Sequence, residues 1–188
     1  MKINFVKRAL SAAVIGALFV PSGATAATST GTFLVTVTVA SSCTITATTL
    51  NFGTYDGANT NATTALNGAG SVSATCTQGS VPTIALGPGG NAAGTQRRMK
   101  DATTDYLTYN LLQPPNNTPG TACNYATGTA WGDGTAATAG TVLTLTAAPS
   151  NTARTYNTCG VIPAGQNVPI NGVGNLAYND TVTATITF

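Results

Sequence analysis

Residues 32–40 read TFLVTVTVA, and residues 181–188 read TVTATITF. In both stretches apolar side chains alternate with a second set that is threonine except at Leu34 and the terminal Ala40, the pattern of a β-strand that buries one face. The apolar faces consist of Phe33, Val35, Val37 and Val39 in the first stretch and of Val182, Ala184, Ile186 and Phe188 in the second. Because strands of this kind lie near both ends of the chain, β-sheet is the expected basis of the fold.

Weaker strand patterns lie between these two stretches. They cover residues 43–50, 70–76, 83–86, 107–112 and 141–145. Clusters of Gly, Pro and Asn separate them, and helical periodicity is hard to find. Short strands punctuated by turns are typical of a β-sandwich. We therefore predict an all-β fold, with one domain over residues 41–188.

The composition argues against most enzyme classes. Charged residues make up 6% of the 188 residues, whereas about 25% is usual in soluble proteins. The chain contains no His and no Glu, so it lacks the commonest general base and the commonest metal ligand. We expect a protein that is not an enzyme and that uses no cofactor and no metal.

The first residues have the pattern of a secretory signal peptide. Three positive residues accompany an apolar run over residues 9–20, and Ala24-Thr25-Ala26 matches a cleavage site. The apolar run is too short for the roughly 20 residues that span a bilayer. We predict a signal peptide over residues 1–26 that is cleaved after Ala26, and hence an exported protein.

Export changes the charge balance. Four positive residues and five Asp remain after residue 26, which gives a net charge of −1 instead of +2. Three of the four positive residues cluster at Arg97, Arg98 and Lys100. This group is smaller than the basic face that nucleic-acid binding needs. We therefore expect a solvated loop here and no nucleic-acid partner.

Four cysteines follow the signal peptide, namely Cys43, Cys76, Cys123 and Cys159. Exported proteins retain disulfides, and four cysteines allow three pairings that sequence alone does not separate. We favour Cys43 with Cys76 and Cys123 with Cys159, because each bridge then closes a short loop within one half of the chain.

Two interpretations of residues 33–39 stay open at this point. The last strand runs to Phe188, which leaves no later residues to cover its open side. The strand at 33–39 could complete the sheet of another subunit by β-augmentation, or it could pack in its own sandwich.

Trp131 and the turn aspartates have alternative interpretations of their own. A lone Trp beside a glycine-rich turn is more often a packing anchor than a sugar-stacking platform. Asp133 and Asp180 lie in no calcium-loop motif, so turn capping is favoured for both.

Several motifs, in this order, resemble the spore coat protein U domain family, which includes the Csu-type pilins of archaic chaperone-usher pili. They are NFGTY at 51–55, CT at 76–77, RM at 98–99, LTYNLL at 107–112, WGDGT at 131–135, IPAGQ at 162–166 and YNDTVTATITF at 178–188. The second cysteine pair is not a general feature of the family, and Leu112 stands where an aromatic residue is common.

The resemblance implies an immunoglobulin-like β-sandwich that lacks its final strand. In such pilins a periplasmic chaperone fills the groove first. The N-terminal strand of the next subunit then replaces the chaperone at an outer-membrane usher. By this resemblance, residues 27–40 form the donor segment, with Phe33, Val35, Val37 and Val39 as its inserted side chains. The edge of the acceptor groove is formed by Val182, Ala184, Ile186 and Phe188.

The implied function is that of a major pilus subunit in surface fibres for adhesion and biofilm formation. Its implied partners are further copies of itself, other pilins, the chaperone and the usher. Two alternatives remain, a structural protein of a spore or cell coat and a minor or tip binding subunit of the same fibre.

Overall fold

The computed structural model describes residues 23, 25–169 and 176–188 of the chain. Most of the predicted signal peptide, including Ala24 of the predicted cleavage site, lies outside the described residues. The chain divides into an N-terminal unit that ends at Val37 and a larger unit from Thr38 to Phe188.

The N-terminal unit contains no helix or strand among its described residues. Phe33, Val35 and Val37 are each more than three-quarters exposed. The sequence pattern predicts a strand here, and the structure differs. Because a strand is defined by the backbone hydrogen bonds to its neighbour, an unpaired segment is not a strand, whatever its pattern.

Antiparallel β-strands make up nearly all of the regular secondary structure described in the larger unit. Among the described residues of this unit, one helix is present, α1, a single turn over Thr60–Thr63. The strands are β1 (Cys43–Ala47), β2 (Leu66–Cys76), β3 (Thr83–Leu86), β4 (Arg97–Lys100), β5 (Tyr106–Leu112), β6 (Leu143–Thr144), β7 (Arg154–Ile162) and β8 (Ala184–Thr187).

The strands form two sheets. The larger sheet has the order β1-β2-β7-β5-β4, and the smaller sheet has the order β6-β3-β8. The longest ladder joins β2 to β7, from the pair Leu66 and Ile162 to the pair Ala74 and Arg154. The all-β prediction is confirmed, and the two antiparallel sheets have the arrangement expected of an immunoglobulin-like sandwich.

The hydrophobic core lies between the two sheets. The larger sheet contributes Val72, Ala74, Leu107, Tyr109, Leu111, Tyr156 and Ile162, and the smaller sheet contributes Ile84, Leu86 and Leu143. Trp131 is fully buried among them, and its indole Nε1 donates to the backbone oxygen of Ile84 at 3.0 Å. Trp131 is therefore a packing anchor, as predicted.

Two disulfides join Cys43 to Cys76 and Cys123 to Cys159. This is the pairing that the sequence analysis favours. The first bridge links the start of β1 to the end of β2, where the two residues are direct register partners. The second bridge links the long β5–β6 connection to the buried middle of β7.

The structure contains two strands that the pattern did not predict, β4 and β7. Arg97 of β4 is only 4% exposed, because its guanidinium donates to the backbone oxygens of Leu86 and Gly87. Arg154 of β7 is buried as well.

No helix in the described part of the chain is long and apolar enough to cross a membrane.

Candidate functional site

Strand β8 is an edge of the smaller sheet and has β3 as its neighbour. Directly before β8, the backbone oxygen of Thr183 accepts a hydrogen bond from the N–H of Gly87 at 2.9 Å. In an antiparallel pair, alternate residues direct their backbone groups to the same neighbour. Thr183 and Thr185 therefore face β3, whereas the backbone groups of Val182, Ala184 and Ile186 face the other side. Among the described strands, none pairs with that side.

A cavity of about 430 Å³ opens beside this edge, between the two sheets. We call it the β8 groove. Its lining residues include Leu50 and Phe52 on one wall, Val182 and Ala184 on the opposite wall, and Val72, Tyr109 and Leu111 on the floor. These walls and this floor are apolar, whereas polar side chains such as Ser71 and Asn179 line other parts of the groove, which lies directly beside unpaired backbone groups.

The wall formed by Leu50 and Phe52 depends on glycines in the larger sheet. A Cβ atom at Gly160 would lie 2.5 Å from Cζ of Phe52, and one at Gly68 would lie 2.9 Å from Cδ1 of the same ring. Any larger residue at these two positions would push the ring away from the sheet. The glycines therefore allow the segment after β1 to lie directly on the backbone of β2 and β7.

A buried hydroxyl without a partner borders the floor of the β8 groove. Thr158 of β7 lines the groove, and its buried Oγ1 has no hydrogen-bond partner within the described structure. A buried hydroxyl without a partner is unfavourable. A polar group that entered the groove at this point would gain a hydrogen bond as well as apolar contact.

A group of hydrogen-bonded side chains closes one end of the groove. The Tyr109 hydroxyl donates to Oδ2 of Asp180 at 2.7 Å, and the Asn91 N–H and Nδ2 donate to Oδ1 at 3.1 and 3.2 Å. We call Asn91, Tyr109 and Asp180 the Asp180 cluster. Burial, together with the Asp180 carboxylate, raises the pKa of Tyr109 far above its usual value. The phenol therefore stays protonated and remains a donor.

The predicted groove-edge residues differ in their surroundings. Val182 and Ala184 line the cavity, and Ile186 packs against the core next to it. Phe188 lies beyond the cavity and is 56% exposed. Register continued from the Thr83 and Thr187 pair places Phe188 opposite Pro82, on the same face as Ile186. Their role in accepting a strand stays a prediction.

The predicted donor residues are all exposed. Phe33, Val35, Val37 and Val39 are each at least 76% exposed. Just after them, the chain is held to the turn that follows β2. Thr77 Oγ1 accepts from the Ser42 N–H at 3.1 Å, and the Ser42 oxygen accepts from the Thr77 N–H at 2.8 Å. The segment is therefore held at its base, and its apolar face lies in solvent.

The sequence pattern did not indicate that the wall residues Leu50 and Phe52 or the Asp180 cluster are parts of a site. Phe52 and Asp180 lie within two of the motifs that carry the family resemblance, and this was the one available signal.

No group of three or more His, Cys, Asp or Glu side chains within the described ranges is arranged to hold a metal ion.

Comparison with known proteins adds three findings. The family model described as Spore Coat Protein U domain matches residues 29–185. Protein U of Myxococcus xanthus is 36% identical over 201 residues, which cover 99% of this chain and 100% of that protein.

The third finding is a solved structure, the CsuC-CsuE chaperone-tip adhesion subunit pre-assembly complex from archaic chaperone-usher Csu pili of Acinetobacter baumannii. It is similar over 80% of this chain, with 22% identity and a TM-score of 0.46. The present chain corresponds to 40% of the matched chain in that complex.

Proposed function

The chain belongs to the Spore Coat Protein U domain family, and from this premise we propose that it is a structural subunit that polymerises by donor-strand complementation. One subunit inserts its residues 33–39 into the β8 groove of another. The product is an extracellular fibre, and the chain's role in it is that of the major subunit.

The observation that carries this proposal is the β8 groove beside an unpaired strand edge. An added strand would bind the outward backbone groups of Val182, Ala184 and Ile186, and its alternate side chains would enter the groove. The same chain carries a segment with the required pattern. Four apolar positions at 33–39 correspond in number to four at 182–188, and each set spans roughly 20 Å at about 3.3 Å per residue.

The energetics favour insertion provided that the groove is already formed. Burial of each Val or Phe side chain contributes roughly 1.5 to 3 kcal/mol. Loss of translational and rotational freedom on association costs about 4 to 15 kcal/mol. Four inserted side chains and a row of backbone hydrogen bonds exceed this cost only when little further energy is needed to open the groove.

Two subunits form a closed dimer only if each one inserts its donor segment into the groove of the other. A donor handed to the next subunit is a head-to-tail contact, and head-to-tail contacts that do not close generate filaments. Residues 27–40 act as the donor segment in this scheme, and residues 41–188 form the acceptor domain.

The exported subunit needs a partner before it polymerises. An exposed apolar groove and an exposed apolar segment are both liable to aggregate. A periplasmic chaperone that occupies the groove would prevent this, and an outer-membrane usher would exchange the chaperone for the next donor. The subunit thus moves through the periplasm, after cleavage behind Ala26, to a fibre on the cell surface, where it serves adhesion and biofilm formation.

A charge placed on the inserted face tests the proposal. We expect Val35→Asp together with Val37→Asp to abolish fibres in electron microscopy, because two carboxylates would have to enter an apolar groove. Thr36→Asp and Thr38→Asp place the same charges on the opposite face, and this control chain should polymerise. Fibres of normal length from the Val35 and Val37 variant would refute strand insertion.

A second candidate is a structural protein of a spore or cell coat. The description of the matched family names a spore coat, and strand exchange could equally build a surface layer. Labelling of the protein in thin sections distinguishes the two functions, since label along projecting fibres supports a pilus and label in a continuous layer supports a coat. A tip-binding role is less favoured, because the last subunit of a fibre would not need a donor segment.

A further inference from the structure

We propose that the Asp180 cluster holds the β8 groove open while the groove is empty, so that Asn91, Tyr109 and Asp180 are positioning residues for strand uptake. This inference rests on the proposed function, since it concerns the same groove. On this proposal, side chains of the subunit itself help to keep the groove open before a strand binds.

An empty apolar groove tends to close. The walls carry Leu50 and Phe52 on one side and Val182 and Ala184 on the other. Contact between the walls would remove apolar surface from water, which is favourable. A groove that stays open therefore needs restraints that act on at least one wall.

The restraints lie directly before Val182. Asn179 exchanges two backbone hydrogen bonds of 2.9 Å with Lys100 of β4. Asp180 accepts three hydrogen bonds from Tyr109 and Asn91. The Thr181 oxygen accepts from the Gly90 N–H at 3.1 Å. Three successive residues are thus held to β4, to β5 and to the turn after β3, and they prevent the following wall from moving toward Leu50.

The turn after β3 is shaped to receive the Asp180 carboxylate. Gly89 has a φ of +90°, and a Cβ atom there would overlap the carboxylate. The guanidinium of Arg97 binds the oxygens of Leu86 and Gly87 at 2.7 to 3.0 Å and so fixes the start of this turn. None of these bonds involves the donor segment, so the cluster is complete in the empty subunit.

Tyr109 links the floor of the groove to its far wall. Its ring lines the floor and packs edge-on against Phe52, with 6.2 Å between ring centroids. Its hydroxyl binds Asp180 at the start of the opposite wall. Phe52, Tyr109 and Asp180 therefore form a continuous line of contacts across the groove, which sets the distance between the walls.

Uptake of a synthetic donor peptide provides the test. The peptide comprises residues 27–42 with a fluorescent label. The acceptor is the full mature chain with Val35→Asp and Val37→Asp, which prevents polymerisation. Association and dissociation rates are measured by fluorescence anisotropy for this acceptor, for Tyr109→Phe in the same background, and for the control Tyr106→Phe on the same strand.

We expect Tyr109→Phe to slow association about tenfold and to leave dissociation unchanged. Without the hydroxyl, only a fraction of empty subunits has an open groove, and the apparent association rate falls to that fraction of its original value. The groove filled by peptide is held open by the peptide, so its dissociation does not change. Tyr106→Phe should alter neither rate, because Tyr106 lies outside the groove.

Equal association rates for the Tyr109→Phe chain and its parent would overturn the inference and leave the proposed function intact. Faster dissociation with unchanged association would also overturn it, since the hydroxyl would then act only in the filled state. If the parent acceptor takes up no peptide, the proposed function itself fails. Should Tyr109→Phe not form both disulfides, Asp180→Asn with the control Asp105→Asn decides the question by the same two rates.

Discussion

Single glycines determine how closely the groove wall approaches the sheet. Gly68 and Gly160 lie beneath the Phe52 ring, and each would bring a Cβ atom within 3 Å of it. Neither position has the left-handed backbone that usually selects glycine. The requirement is therefore for space, and it comes from residues far away in the sequence.

We expect Gly160→Ala to lower the free energy of unfolding by about 1 to 3 kcal/mol, the usual cost of overpacking. The ring of Phe52 must shift, because the added methyl group would meet Cζ at 2.5 Å. Urea denaturation measures the change. Gly31→Ala, where no atom lies within 4 Å of the added Cβ, is the matched control and should have no effect. A stability equal to that of the unsubstituted chain would contradict the packing described here.

Asp133 caps a turn, as the sequence suggested. Its Oδ1 accepts from Thr138 Oγ1 and from the N–H and Oγ1 of Thr135. These bonds stabilise the charged carboxylate and lower the pKa of Asp133 to about 2.

A lowered pKa predicts a defined dependence of stability on pH. The stabilisation by Asp133 is fully present above its unfolded value of 3.8 and is lost as the pH falls through about 2. The unsubstituted chain should therefore exceed Asp133→Asn in urea midpoint at pH 5, and the difference should shrink between about pH 4 and pH 2. A difference that stays constant over this range would show that the hydrogen bonds do not depend on the charge.

At the scale of the strand, alternation predicted those elements that bury apolar side chains. Strand β3 has the predicted bounds, and β5 differs from its prediction by one residue. The pattern did not predict strands β4 and β7, because their buried positions include Arg97 and Arg154. A buried guanidinium depends on carbonyl groups supplied by distant strands, and sequence pattern does not show such partners. Likewise, the Asp180 cluster joins residues up to 89 positions apart.

The second disulfide joins the connection between β5 and β6 to strand β7. Cys123 lies in this connection, and its partner Cys159 is fully buried in β7. The loop that the bridge closes has a sequence separation of 36 residues. On the chain-entropy model, such a loop contributes about 4 kcal/mol.

We expect Cys123→Ser together with Cys159→Ser to lower the free energy of unfolding by about this amount and to expose residues 113–142 to proteases. Urea denaturation and limited proteolysis measure the two effects. The Cys43 and Cys76 double variant serves for comparison, because its bridge joins two strands that already pair. Cleavage outside residues 113–142 would contradict the role given to the second bridge.

At the scale of the whole molecule, the proposed donor face and part of the proposed acceptor edge were visible in the sequence. Alternation identified Phe33 to Val39 and the strand toward Phe188, because both faces are apolar at every second position. The opposite wall was not visible, since Leu50 and Phe52 follow β1 without a regular pattern. Only the folded chain brings them to the groove.

The proposed donor segment and the β8 groove lie at different places on the chain, so a substitution can disable the donor and leave the groove intact. Such a variant should shorten fibres even when unsubstituted subunits are in excess. A chain with Val35→Asp and Val37→Asp keeps its groove but has no usable donor. Added as a minor fraction to unsubstituted subunits, it should accept a donor and then end the fibre. Fibre length in electron microscopy should fall roughly in inverse proportion to that fraction. Unchanged lengths at increasing fractions would indicate that the groove does not accept donors.

The first disulfide has a mechanical consequence. Cys43 is the fourth residue after Val39, the last inserted side chain of the proposed donor. Tension along a fibre built in this way enters each subunit through residues 40–42 and reaches Cys43 first. The bridge passes this load covalently to Cys76 on β2, which pairs along nine residues with β7. Pulling force therefore bypasses the short ladder of β1, and β1 cannot peel away from the sheet from its loaded end.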